Sequence, residues 1–122
     1  MVKKILAVDD DRQILELEKK ILSADGFQVM TTTDGHKAVA LMKEHAFAVV
    51  LLDISMPEMD GFQVSQSLRR AAVGTMPPVV FVTANDDSES MRKGFRSGGT
   101  IFLSKPFTAN QLLRVVRSIA AK

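Results

Sequence analysis

Acidic residues stand in two places where a short apolar run stops. Asp9-Asp10-Asp11 follows Ile5–Val8, and Asp53 follows Val49–Leu52. Thr83 comes directly after a third such run, Val79–Val82, and Lys105 lies just past a fourth, Ile101–Leu103. Unbroken apolar runs of this length suit strands buried on both faces, as in a parallel sheet. In open α/β sheets, ligands bind beyond the carboxyl ends of the strands. If these run ends are neighbours, three carboxylates converge. At ~4 Å and an effective dielectric of ~20, each pair of like charges costs roughly 4 kcal/mol. Such a cluster requires protonation, a cationic neighbour or a metal. Carboxylates, a backbone carbonyl and water are the ligand set of a hard octahedral cation such as Mg2+. Lys105 supplies an ammonium group and Thr83 a hydroxyl. Acids, a hydroxyl donor and a cation on one rim would suit a phosphoryl group with its metal.

The elements that must position these residues can be read in order. Strand 1 is Ile5–Val8, and helix 1 carries apolar residues at Ile14, Leu17, Ile21 and Leu22, with Asp11 as N-cap and Asp25-Gly26 as the stop. Phe27–Thr32 alternates like an edge strand. After Asp34-Gly35, helix 2 would bury Ala38, Leu41 and Met42. Val49–Leu52 is strand 3, and helix 3 follows Gly61 with Val64 and Leu68 inward. Strand 4 is Val79–Val82. The acid-rich stretch Asp86-Asp87-Ser88-Glu89 suits the start of a fourth helix, with Met91 and Phe95 buried and Gly98-Gly99 ending it. Ile101–Leu103 is strand 5. In the last helix, Thr108 and Gln111 match a capping box, and Leu112, Val115, Val116 and Ile119 form its apolar stripe.

Five strands alternating with five helices imply a parallel sheet covered on both sides, since parallel strands need right-handed crossovers. We therefore expect an α/β fold with a flavodoxin-like, doubly wound five-stranded sheet. Its order, 2-1-3-4-5, is taken by analogy with that fold class. The switch point between strands 1 and 3 would bring Asp9, Asp10 and Asp53 side by side.

A chain of 122 residues is expected to be a single domain, residues 1–122. Its 46% apolar and 25% charged fractions are those of an ordinary soluble protein. The absence of Cys excludes disulfides and thiolate zinc sites and fits a reducing cytosol, so a cytoplasmic location is expected. Ile5–Val8 is too short for a signal-peptide core, and no apolar run approaches membrane-spanning length. A net charge of +2 without a basic block or aromatic-interleaved patch gives no sign of direct nucleic-acid binding.

Taken together and in order, Asp9-Asp10, Asp53 with Met56-Pro57 and Asp60-Gly61, Thr83-Ala84, and Lys105-Pro106-Phe107 resemble the receiver domain of the two-component response-regulator family. The resemblance covers essentially the whole chain. It implies that Asp53 accepts a phosphoryl group from a sensor histidine kinase, a phosphotransfer domain or a small phosphodonor. It further implies that Asp10, Asp53 and the Ser55 carbonyl ligate Mg2+ directly, with Asp9 acting through a water. Lys105 would pair with Asp53, and Thr83 and the Ala84 amide would meet phosphoryl oxygens. The Lys105–Pro106 bond would be cis and Phe102 the aromatic switch residue. Ser55 and Asn85 would form a rim that tunes the phosphoryl lifetime. The surface of helix 4, strand 5 and helix 5, including Arg92, Arg96 and Arg114, would carry the output, either to a partner or in a phosphorylation-dependent homodimer.

Other functions are open to such a chain. An aspartyl-nucleophile phosphatase also uses an Asp at a strand end with Mg2+, but it needs a second acid two residues on, where this chain has Ser55. A flavin carrier would need a glycine- and hydroxyl-rich loop where Asp9-Asp10-Asp11 would repel a phosphate. A receiver used as a non-phosphorylated docking module would have no need of the full acid cluster, Thr83 and Lys105. His36 and His45 are expected on helix surfaces, with no partner pattern.

Overall fold

In a computed structural model, residues 2–54, 60–84 and 101–120 are described. The elements run β1 (Lys4–Val8), α1 (Arg12–Ala24), β2 (Gln28–Thr32), α2 (Gly35–Glu44), β3 (Val49–Asp53), α3 (Gly61–Ala71), β4 (Val79–Thr83), β5 (Ile101–Ser104) and α4 (Ala109–Ala120). The helix expected between β4 and β5 falls outside the described residues, so α4 is the last of the five expected from the sequence. All strand pairs are parallel, and the order is β2-β1-β3-β4-β5. Among the described residues, no helix is long and apolar enough to cross a membrane.

The helix ends follow their capping residues. Asp11, Asp34 and Asp60 each accept a hydrogen bond from the amide two residues on, at 2.8–2.9 Å. Thr108 and Gln111 exchange side-chain-to-amide bonds of 2.8 and 3.1 Å, the expected capping box of α4. Gly26 ends the α1 turn at φ +95°, a conformation that costs glycine little.

Alternation along the strands divides the core in two. Ile5 and Ala7, Val49 and Leu51, Val80 and Val82, and Leu103 face α1 and α4, together with Leu15, Leu22, Leu112 and Val116. Leu6 and Val8, Val50 and Leu52, and Val79 and Phe81 face α2 and α3, with Ala38, Met42, Val64 and Leu68. Both faces of the central strands are apolar because helices cover both.

The buried face of α1 shares Leu22 with the expected one and otherwise differs from it. Leu15, Glu18 and Leu22 are buried, whereas Leu17 is 43% exposed and Ile14 and Ile21 are only half-buried. Both stripes have i, i+3, i+7 spacing, and the glutamate in the true one made the other look more apolar. In α2 the buried set is Gly35, Ala38 and Met42, with Leu41 half-buried. In α4, Leu112 and Val116 are buried as expected, while Val115 and Ile119 are half-buried and Ala120 completes the face.

Candidate functional site

The acid-bearing turns lie side by side because β1 and β3 are paired, with Val8 opposite Leu52. Continuing each strand's alternation places Asp9 on the face of Ile5 and Ala7, and Asp53 on the face of Val49 and Leu51. Lys105 extends the row of Ile101 and Leu103 on that same face. Asp9 and Asp53 are almost fully buried, and Asp10 is exposed. One carboxylate oxygen from each of Asp9, Asp10 and Asp53 falls within 4.8 Å of the others. That donor set is oxygen-only and compact enough for a hard divalent cation, with room left for other ligands.

Lys105 reaches this cluster along the same face, from beyond the edge strand β5. Its Nζ lies 2.9 Å from Asp9 Oδ2 and 3.4 Å from Asp53 Oδ2. Its partner is thus chiefly Asp9, with Asp53 second, where the sequence led us to expect Asp53. Its backbone is anchored as well, the Lys105 amide donating to the Thr83 carbonyl at 2.9 Å. The Lys105–Pro106 bond is cis, as expected. Burial works against the ammonium. The hydrogen bond to Asp9 and the fields of Asp53 and Asp9 outweigh it and hold the lysine above its ordinary value.

Asp9 is held from two sides, by Lys105 and by the Asp11 amide, which donates to Oδ1 at 2.9 Å. Burial nonetheless pushes its carboxyl above the ordinary range, and the adjacent Asp53 adds to the effect. A divalent cation would reverse that balance by favouring the ionised form.

Thr83 closes β4 at 0% exposure, opposite Ser104 of β5. By alternation it belongs to the other face of the sheet, with Phe81. Ala84 is exposed at the rim beside it. Beneath Thr83 runs an aromatic row: Phe62 and Phe81 have ring centroids 5.2 Å apart, and Phe81 and Phe102 5.5 Å. Phe102 is half-buried. Ser55 and Asn85 lie outside the described residues, as do Met56, Pro57, Arg92 and Arg96.

Two residues matter here in ways that sequence reasoning did not anticipate. Gly61 packs so tightly behind Asp53 that a Cβ on it would lie 2.5 Å from Ile54 Cα and 2.8 Å from the Asp53 carbonyl oxygen. Only glycine lets the segment return this closely. Its place in Asp60-Gly61 after β3 was visible, but the contact was not. The other is Glu18, buried under α1, which its i, i+3, i+7 relation to Leu15 and Leu22 could have flagged. A cavity of about 470 Å3 between α1, α2 and the end of β2 is lined by none of the acid-site residues.

A doubly wound parallel sheet with carboxylates at its switch point and a lysine beyond its last strand defines a narrow class. Residues 5–117 match the family described as the response regulator receiver domain, and this chain belongs to it. Over 119 residues it is 33% identical to the transcriptional regulatory protein SrrA of Staphylococcus aureus, covering 98% of this chain and 48% of that protein. The chain thus spans about half the length of the curated relatives it matches. The chemotaxis protein CheY4 of Vibrio cholerae superposes with a TM-score of 0.92 at 30% identity, covering 98% of this chain and 99% of that one. The receiver domain of the sensor histidine kinase PA1611 from Pseudomonas aeruginosa, whose structure has a magnesium ion coordinated in its active-site cleft, has a TM-score of 0.88. At 24% identity over 100% of both chains, that likeness is one of fold.

Proposed function

We propose that this receiver domain takes a phosphoryl group on Asp53 in a Mg2+-dependent reaction and passes the change to a partner. The observation that carries the reading is the convergence of Asp9, Asp10 and Asp53 within 4.8 Å, with Lys105 Nζ at 2.9 and 3.4 Å from two of them. Three crowded carboxylates with one ammonium leave excess negative charge, which a divalent cation would balance. Asp10 and Asp53 would hold Mg2+ directly, with the Ser55 carbonyl, and Asp9 through a water. When bound, the ion supplies charge neutralisation on the phosphoryl oxygens.

An Asp53 carboxylate oxygen attacks the phosphorus of a phosphohistidine or a small phosphodonor. The bond to the donor breaks as the acyl phosphate forms, and the donor leaves with the electron pair. Lys105, held charged by its carboxylate neighbours, orients Asp53 and then pairs with the phosphoryl oxygens. Its position at 18% exposure lets it follow the new charge without leaving the rim. The Thr83 hydroxyl and the Ala84 amide take the remaining oxygens. The donor is a sensor histidine kinase or a phosphotransfer domain.

Drawing Thr83 towards the phosphoryl group frees space beside Phe81, and Phe102 is the neighbouring ring placed to fill it. The exposed surface of β5 and α4, with Arg114 among its contacts, then changes and engages an output partner or a second copy. A cytoplasmic location fits this chemistry.

Intact mass spectrometry after incubation with acetyl phosphate and Mg2+ tests the reading. One phosphoryl mass should be gained by the native protein and none by Asp53→Asn. The same gain in the Asn variant would place the acceptor elsewhere.

A further inference from the structure

Glu18 is a carboxylic acid set inside the apolar layer between α1 and the sheet. It is 1% exposed and lies between Leu15 and Leu22 on the buried face of α1. Those two leucines belong to the core layer of Ile5, Ala7, Leu51, Leu112 and Val116. Glu18 stands outside the group of Asp9, Asp10 and Asp53 that could hold a metal. A carboxylate sealed in such a layer without its own cation is costly, so the group keeps its proton instead.

The surrounding charges agree with that conclusion. Asp9, at the end of β1, and Asp53, at the end of β3, both disfavour ionisation of Glu18. Among the described residues, Lys105, beyond β5, is the cation acting on it, and it is already engaged by Asp9 and Asp53. Strand β2 carries no titratable residue. Helix α4 buries Leu112, Val116 and Ala120, while Arg114 and Arg117 are exposed and Arg117 is held by Asp25. On α1 itself, Glu16, Lys19 and Lys20 are exposed. Burial first, and Asp9 next, push the Glu18 carboxyl up to about 8.

The N-terminal end of α1 is tied to the rim. Asp11 caps the helix through the Gln13 amide, and its own amide donates to Asp9. Any displacement of α1 therefore reaches Asp9. We propose that Glu18 is a proton-operated latch that seats α1 on the sheet when protonated and, on losing its proton, loosens the helix and the Asp9–Asp11 turn leading into it. The inference stands whether or not Asp53 is phosphorylated.

The sign follows from linkage. A carboxyl raised in the folded state adds stability that is fully present below its ordinary range and is lost as pH rises to about 8. Across that window the latch alone makes the unfolding constant rise about tenfold per pH unit. The test compares the native chain with Glu18→Gln and Glu18→Leu, measuring thermal unfolding from acid to alkaline pH. NMR follows the Glu18 carboxyl carbon and the Asp11 amide in parallel. Both variants should lose the slope, and in the native chain the Asp11 amide should shift with the Glu18 proton. An unchanged slope in the variants overturns the proposal, as does a Glu18 carboxyl that titrates in the ordinary range. An Asp11 amide that stays fixed while Glu18 titrates leaves a buried acid but no latch. Should neither variant fold, the carboxyl and amide titrations of the native chain decide.

Discussion

The two faces of the sheet are alike along the strands and different at the carboxyl rim. Facing α1 and α4, the rows of Ile5–Ala7, Val49–Leu51 and Ile101–Leu103 run out into Asp9, Asp53 and Lys105. Facing α2 and α3, the row of Val79 and Phe81 runs out into Thr83, flanked by Phe62 and Phe102. One face therefore ends in fixed charge and the other in a hydroxyl above aromatic rings. The period of two along a strand produces this division, since a carboxylate and a ring placed one residue apart cannot share a face. A group bound at the rim would meet charge from one side and a hydroxyl from the other. The charged side is pinned by ion pairs of Lys105, while the aromatic side is built on ring contacts of Phe81 with Phe62 and Phe102.

The largest expected effect tests the aromatic side. Phe81 is fully buried and touches both Phe62 and Phe102. Phe81→Ala should cost about 3–5 kcal/mol of stability in chemical denaturation. Because the acid cluster and Lys105 lie on the opposite face, Mg2+ affinity of the folded variant should be largely unchanged. A loss of metal affinity as large as the loss of stability would show that the faces are not separable.

A smaller but more local effect is expected at Gly61. A Cβ there would lie against Ile54 Cα and the Asp53 carbonyl, so an added methyl meets backbone that cannot rotate away. Gly61→Ala should cost about 1–3 kcal/mol by overpacking. The displaced atoms belong to the end of β3, so the damage should fall on Asp53. Relative to its cost in stability, Gly61→Ala should impair Mg2+ binding and phosphoryl gain far more than Phe81→Ala. Normal metal binding in a destabilised Gly61→Ala protein would contradict this.

How much of this was legible beforehand depended on whether one signal stood alone. The strands were legible because most of the apolar runs adjoin Gly, Pro or acids, as at Gly26, Asp9, Asp53 and Pro78, and observed strand ends shift by only one residue at a time. The convergence of Asp9, Asp10, Asp53 and Lys105 followed once strands 1 and 3 were neighbours. The face of α1 was legible only at Leu22, because two stripes of equal spacing competed and the apolar content of Ile14, Leu17 and Ile21 favoured the less buried one. A buried glutamate defeats hydrophobic periodicity by construction. The preference of Lys105 for Asp9 was likewise out of reach, since it depends on where a flexible side chain comes to rest between two carboxylates. The tight contact of Gly61 needed the return path of the chain, which no local pattern contains.

The smallest effect on the metal-free protein, and the one most specific to the charged side, is expected at Asp10. It is the exposed member of the three-carboxylate group, whereas Asp9 and Asp53 are buried and share Lys105. In the absence of metal, Asp10 contributes repulsion towards Asp9 and Asp53, softened by solvent. Removing its charge should leave stability unchanged or raise it by no more than about 1 kcal/mol. With metal the sign reverses, because the same oxygen becomes a ligand. Native protein should gain melting temperature with rising Mg2+ by ligand linkage, and Asp10→Asn should lose most of that gain, with metal affinity falling roughly tenfold or more. The two measurements must therefore move in opposite directions. If Asp10→Asn is clearly less stable without metal, the carboxylates are not held together against their own repulsion. If instead its Mg2+-dependent gain is undiminished, the rim binds the cation without Asp10, through the two buried carboxylates alone.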